Sequence, residues 1–174
     1  MLELARRHGV RLETVECNAL VGTIGAIEGV EGVVPTLLAL PQTYMNRSGY
    51  AARCLVERHG FEPQQILAVF DEIHLPLGRL RLRRGGSPGG HRGMESILEN
   101  LRSAEVPRLR LGVGRAVPEG EEPEGEEGLA DFVLSPFAPE EREAVDEMIL
   151  RAADACEAWL REGIEMAMNK VNRS

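Results

Sequence analysis

Two carboxylates stand side by side where an apolar run stops. Ile66 to Phe70 is short, apolar and rich in β-favouring residues, and it ends in Asp71 and Glu72. Such a run suits a buried strand whose C-terminal end carries Asp71 to the rim of a sheet, where ligands of open α/β sheets bind. A carboxylate there can serve chemistry, or it can form a turn or cap a helix. A glycine-rich loop, Gly85 to Gly93, follows within a few residues and carries His91 and Arg92. Glycine lets the backbone approach a ligand closely. Met94, Ile97, Leu98 and Leu101 then fall at helical spacing, so the loop faces a helix N-terminus whose free N–H groups favour an anion. No Gly-Lys-Ser/Thr follows the loop, which argues against a nucleotide P-loop.

Between these pieces the chain alternates. After a turn at Pro76 to Gly78, a period of two puts Arg79, Arg81 and Arg83 on one strand face and Leu80 and Leu82 on the other. Arg108 to Gly114 repeats the pattern and adds a second arginine face. From Arg79 to Arg115 there are nine arginines against three glutamates, a local excess of six positive charges in a chain of net charge −8. A protein acidic overall and basic in one patch can hold a polyanion locally and repel it elsewhere. Taken alone, a Leu/Arg strand means only a solvated face.

The elements that must position these residues read as one domain. The 174 residues, 43% hydrophobic and 28% charged, can bury a substantial core, and no apolar run is long enough to cross a membrane. The chain opens inside a helix that stops at Gly9. Leu20 to Glu28 and Val33 to Leu40 read as a β-hairpin around Gly29 to Gly32, with Pro35 confining part of the second strand to an edge or bulge. Pro41 to Gly49 is a strand-to-helix junction containing Tyr44, Met45 and Asn46, and the helix after it ends at Gly60. Glu119 to Gly128 is an acidic surface loop and Asp131 to Phe137 a short apolar element. Pro139 starts a long helix with a stripe of Val145, Ile149, Ala152, Ala153, Cys156, Trp159 and Leu160, broken at Gly163. Cys17, Cys54 and Cys156 are far apart in sequence, which predicts three buried or semi-buried thiols in a reducing cytoplasm.

In order and spacing, five segments resemble the bacterial peptidyl-tRNA hydrolase family: Tyr44-Met45-Asn46-Arg47-Ser48-Gly49, Phe70 to Gly78, Gly85 to Gly93, Arg108 to Gly114 and Asp131 to Phe137. The resemblance covers nearly the whole chain. It implies a single α/β domain with a mixed twisted β-sheet flanked by helices. It also implies cleavage of the ester joining a peptide to the terminal ribose of tRNA, with neither metal nor cofactor, by a cytoplasmic monomer that recycles tRNA.

Residue by residue, the resemblance makes Asp71 the aspartate that orients a basic histidine. Asn46 becomes the amide that holds the substrate carbonyl, and Tyr44 the aromatic residue bordering the substrate. Arg83 and Arg110 become the pair gripping a tRNA phosphate. His91 falls at a position better suited to structure than to catalysis, and Arg92 stands where the family's loop has asparagine. His74 stands where a second aspartate is usual.

The family's opening Gly-x-Gly-Asn-Pro-Gly strand and its Thr-Arg-His-Asn segment have no counterpart here. The expectation is therefore an incomplete member, lacking its first strand and its general base. His8 and His59, beside glycines near helix ends, read as surface residues. The alternative is a binding module that kept the tRNA-gripping surface without hydrolysis, as the family's chloroplast splicing-factor relatives reuse the fold.

Overall fold

The computed structural model of the protein describes residues 1–25, 35–114 and 133–173. Along the chain come α1 (Leu2–Arg7), β1 (Thr14–Glu16), β2 (Ala19–Ile24), β3 (Thr36–Pro41), α2 (Ser48–His59), β4 (Ala68–Pro76), β5 (Leu80–Arg83), α3 (Arg92–Leu101), β6 (Arg108–Gly114) and α4 (Arg142–Val171). Single 3-10 turns at Met45–Arg47 and Pro139–Glu141 lead into α2 and α4.

The α/β class holds, but the described strands form two sheets rather than one. β1, β2 and β3 make an antiparallel sheet in that order, and β4, β6 and β5 make a mixed one with β6 in the middle. β4 runs parallel to β6, with Asp71 opposite Leu111, and β5 runs antiparallel to it, with Arg81 opposite Arg110 and Arg83 opposite Arg108. Each sheet has an edge strand on the site side, β3 in one and β4 in the other. The hairpin exists as β2 and β3, its turn lying outside the described residues, and β3 begins just after Pro35, whose missing N–H keeps it out of the ladder. The three-residue β1 has no sequence signal of its own.

Alternation works as the sequence indicates: Leu80 and Leu82 are buried, Arg83 is exposed and Arg81 is half-buried. Leu80, Leu82 and Leu109 join Leu4 and Ala5 of α1, Ile24, Leu38, and Met148, Ala152 and Cys156 of α4 in the main core. Burying each of the larger side chains contributes about 1.5–3 kcal/mol. Met94 and Val106 form a second core with Ala68 beneath α3, and Leu55 of α2 covers Ala19 and Val21. Ala152, Ala153, Cys156, Trp159 and Leu160 of the expected α4 stripe pack in the core, but Met148, 2% exposed, takes the inner place expected of Ile149, which is 40% exposed. The helix keeps the i, i+4, i+8 spacing but turns its Met148 side inward, and it kinks at Gly163, where φ is 80°. Near its end the Asn172 amide accepts from the Leu82 N–H at 2.9 Å and donates to the Leu82 carbonyl at 3.1 Å, so a side chain occupies the ladder position beside β5. The expected acidic loop at 119–128 and the start of the apolar element at 131 lie outside the described residues. Of that element's remainder, Val133 and Leu134 are exposed.

The cysteine expectation is corrected. Cys17 and Cys54 are disulfide-bonded, with Cα atoms 5.6 Å apart, and only Cys156 is a free, buried thiol. Burial pushes the Cys156 thiol up to about 11. Sequence distance misleads here because Cys17 sits in the β1–β2 turn, at φ 52°, directly against the middle of α2. A cross-link closing 37 residues contributes about 4 kcal/mol by loop entropy. Thiol titration of the denatured, unreduced protein should therefore find one reactive cysteine and, after reduction, three. Cys54→Ser should lower the melting temperature under non-reducing conditions; an unchanged melting temperature would mean that the bond does not form.

Candidate active site

Asp71 lies on β4 next to the last regularly paired position, Glu72 opposite Gly112, after which the register shifts. It is thus within the strand rather than at its end, because β4 continues to Pro76. Its side chain is 35% exposed, and the His91 imidazole is beside it, with Nε2 at 3.9 Å from Oδ1. The imidazole holds the Asp71 carboxyl below the usual carboxylate range, against the opposing effect of burial. At that distance the contact is electrostatic rather than a hydrogen bond.

His91 caps α3. Its Nδ1 accepts from the Met94 N–H at 3.0 Å, which places the ring proton on Nε2, toward Asp71. The ring also packs on Phe70, with centroids 4.3 Å apart. Nδ1 is thus held by the backbone while Nε2 faces Asp71, and the structural reading of His91 fits this geometry. Arg92 follows as the exposed first residue of α3.

The Asn46 turn is held against this corner by packing. A Cβ on Gly93 would meet Met45 Sδ at 2.5 Å and His91 Cε1 at 3.0 Å, so Met45 lies directly on the loop while Asn46 projects as an exposed residue of the 3-10 turn. Behind it, the Gly49 N–H donates to Ser96 Oγ at 3.0 Å. Any Cβ on Gly49 would stand 2.0 Å from the Ser96 carbonyl oxygen, so α2 and α3 cross at backbone contact.

The arginine face is contiguous with the corner, since Phe70 pairs with Arg110 across the parallel ladder. Arg83 is exposed on β5, and Arg110 shares its face on β6. Arg110 has a partner that the sequence reading missed: Nε donates to Glu72 Oε2 at 2.7 Å and Nη2 to the same oxygen. Glu72 is 4% exposed, and its other oxygen accepts from the His74 N–H. Its only signal was its place beside Asp71 on an apolar strand. Arg108, 3% exposed, was likewise unassigned.

The remaining histidines sit elsewhere. His8 is 3.2 Å from Glu157, and His59 is 2.8 Å from Glu16 and stacks on Phe61. His74 is exposed, about 10 Å along the extended strand from Asp71. Tyr44, 80% exposed, lines an open cleft of about 980 Å³ with Asn18, Gln42, Thr43, Arg47 and Tyr50. Thr43 Oγ1 is buried there without a hydrogen-bond partner among the described residues. No group of three His, Cys, Asp or Glu side chains among the described residues is placed to hold a metal ion. No helix among them is long and apolar enough to cross a membrane.

The family model described as peptidyl-tRNA hydrolase matches residues 1–174. The chain belongs to the peptidyl-tRNA hydrolase family. A relative of that name from Carboxydothermus hydrogenoformans is 42% identical over 172 residues, covering 98% of this chain and 84% of the relative. The peptidyl-tRNA hydrolase of Methylacidiphilum infernorum is 48% identical over 136 residues, covering 78% of this chain and 69% of its own. That of Synechococcus is 46% identical over 135 residues, and the chain spans 57% of its length. A crystal structure of peptidyl-tRNA hydrolase from Acinetobacter baumannii superposes with a TM-score of 0.84 at 30% identity, covering 98% of this chain and 81% of that one. These matches place the chain in a family of ester hydrolases of translation, with the same fold.

The depressed Asp71 carboxyl has a consequence for stability. Its contact with His91 contributes fully above the ordinary Asp value of 3.8 and is lost as the pH falls through the lower folded value. The difference in melting temperature between the wild type and Asp71→Asn should therefore shrink only below about that pH. A difference already absent just above that pH would remove the Asp71–His91 interaction.

Proposed function

We propose that this chain forms the carboxylate, amide and phosphate-binding side of a site that hydrolyses the ester of peptidyl-tRNA. The observation that carries the proposal is the convergence of Asp71, His91 and the Asn46 turn in one corner, a single ladder pair from Arg110. In this reading water attacks the ester carbonyl, a general base takes its proton, and the ribose 3′ oxygen leaves. Asp71 orients the base. Asn46, exposed beside the loop, donates from its amide to the developing oxyanion. Tyr44 borders the peptide. Arg83 and Arg110 grip a tRNA phosphate, Arg110 through Nη1, since Glu72 holds its other edge. Arg92 adds charge where a compact amide would serve carbonyl recognition.

The base itself is an imidazole that none of the four histidines supplies, because His8 and His59 face glutamates, His74 is too distant and His91 is taken up as the cap of α3, its Nδ1 accepting from the Met94 N–H. We place it on a further segment seated between Asp71 and Asn46, where the edges of β3 and β4, unpaired among the described residues, would also accept a strand. The protein in this reading is a cytoplasmic monomer that recycles tRNA, its net charge of −8 opposing self-association.

Two experiments test this. Arg83→Ala should weaken tRNA binding and lower the salt slope of log Kd by about 0.9, one phosphate contact; an unchanged affinity and slope would remove the grip. Ester cleavage of a peptidyl-tRNA by this chain should be near background and should rise on addition of free imidazole, toward the roughly 10²–10⁴-fold that general-base catalysis supplies. Strong cleavage without imidazole would move the base to His74 or His91. No response to imidazole, with tRNA binding intact, would favour a tRNA-binding relative without hydrolysis.

A further inference from the structure

Arg108 is a buried cation whose partners are all backbone carbonyls. Its side chain donates from Nε to Val106 at 3.1 Å, from Nη1 to Ser87 at 2.7 Å and from Nη2 to Ala104 at 3.3 Å. Among the described residues no carboxylate pairs with it. Burial and the neighbouring Arg110 both push its pKa down, so the charge is held at a disadvantage that the three carbonyls offset. An arginine is required for such an arrangement, because only a planar fork reaches three acceptors in fixed directions.

What the fork joins is informative. Val106 and Ala104 belong to the turn entering β6, whereas Ser87 lies 21 residues from Arg108, in the glycine-rich loop. The same turn receives the loop by a second route: the Gly86 N–H donates to the Ala104 carbonyl at 3.0 Å. A Cβ on Gly85 would stand 2.5 Å from that oxygen, so the loop root is seated flat on the turn. Beyond Ser87 the loop continues through Gly89 and Gly90, both at positive φ, to His91 and Arg92. Gly89 passes over Arg110, whose Nη2 would be 3.9 Å from a Cβ there. Past Ser87 the loop bonds within itself, the His91 N–H donating to the Pro88 carbonyl at 3.2 Å, so among the described residues the Ser87 carbonyl is its last tie to the β6 turn, and Arg108 makes that tie.

We propose that Arg108 is the positioning residue of the tRNA site: by clamping Ser87 it sets the loop that carries His91 and Arg92 over Arg110. It touches no phosphate itself, being covered by the loop, although it lies directly across the ladder from Arg83. This rests on the proposed tRNA reading for its binding consequence, but not for the clamp.

The test uses Arg108→Lys, which keeps the charge but offers a point donor in place of the fork. Two quantities are measured: amide exchange at Gly86 to His91 in the free protein, and tRNA affinity as a function of salt. The expected result is roughly tenfold faster exchange in the loop and a Kd about five- to tenfold weaker, with the salt slope unchanged because no phosphate contact is lost. That combination separates Arg108 from Arg83, whose removal lowers the slope. Unaltered loop exchange with unaltered affinity would overturn the proposal, and so would a slope reduced by about one, which would make Arg108 a phosphate ligand.

Should Arg108→Lys fail to fold, Gly85→Ala decides in its place, since its Cβ lifts the loop root from Ala104 with Arg108 intact. It should reproduce the faster exchange and the weaker binding at constant slope, and wild-type behaviour in both would overturn the clamp. If the wild-type chain binds no tRNA, the functional reading fails, while the loop exchange of the variants still decides whether Arg108 holds the loop.

Discussion

The corner at Asp71 depends on one absent side chain. Gly49 lets the first turn of α2 meet α3 at backbone contact, with its N–H on Ser96 Oγ, and this crossing presses Met45 against the loop at His91 and leaves Asn46 exposed beside it. A methyl group at Gly49 would overlap the Ser96 carbonyl, and overpacking of this kind costs about 1–3 kcal/mol or is relieved by moving a helix. Either outcome separates Asn46 from Asp71. The site is therefore built by helix packing, with the sheet supplying Asp71 and the helices delivering the groups around it.

Electrostatics on the mixed sheet are arranged by depth. Arg83 is exposed, Arg110 is half-buried and neutralised on one edge by Glu72, and Arg108 is fully buried with carbonyl partners alone. Each deeper position exchanges freedom for direction. An exposed guanidinium attracts a polyanion but is screened by salt, whereas a buried one is hardly screened and instead organises backbone. An acidic protein can hold RNA on such a face because the local field, rather than the net charge of −8, meets the ligand.

Much of this was legible in sequence because the signals are local. The Asp71 strand, the glycine loop followed by a helix, and the Leu/Arg alternation each occupy a few consecutive residues, and five motifs in order identified the family. What escaped was long-range or lacked a signature. The Cys17–Cys54 bond joins a turn to a helix. Backbone carbonyls, the whole shell of Arg108, have no residue type to betray them. Glu72 resembled a second rim acid until its burial against Arg110 appeared. The stripe of α4 was legible except at Ile149, because Met148 and Ile149 are both apolar and only packing puts Met148 inside.

The Asn172 amide beside Leu82 ties the last turn of α4 into the ladder of β5. A strand edge closed by a helix residue is hidden only while that helix is docked. Docking of α4 and shielding of β5 are consequently one event, and partial unfolding at the far end of the helix would expose a ready template for a neighbouring molecule's strand. The same strand carries Arg83, so the solubility of the protein and the integrity of its cationic face are governed together by a side chain 90 residues from Leu82.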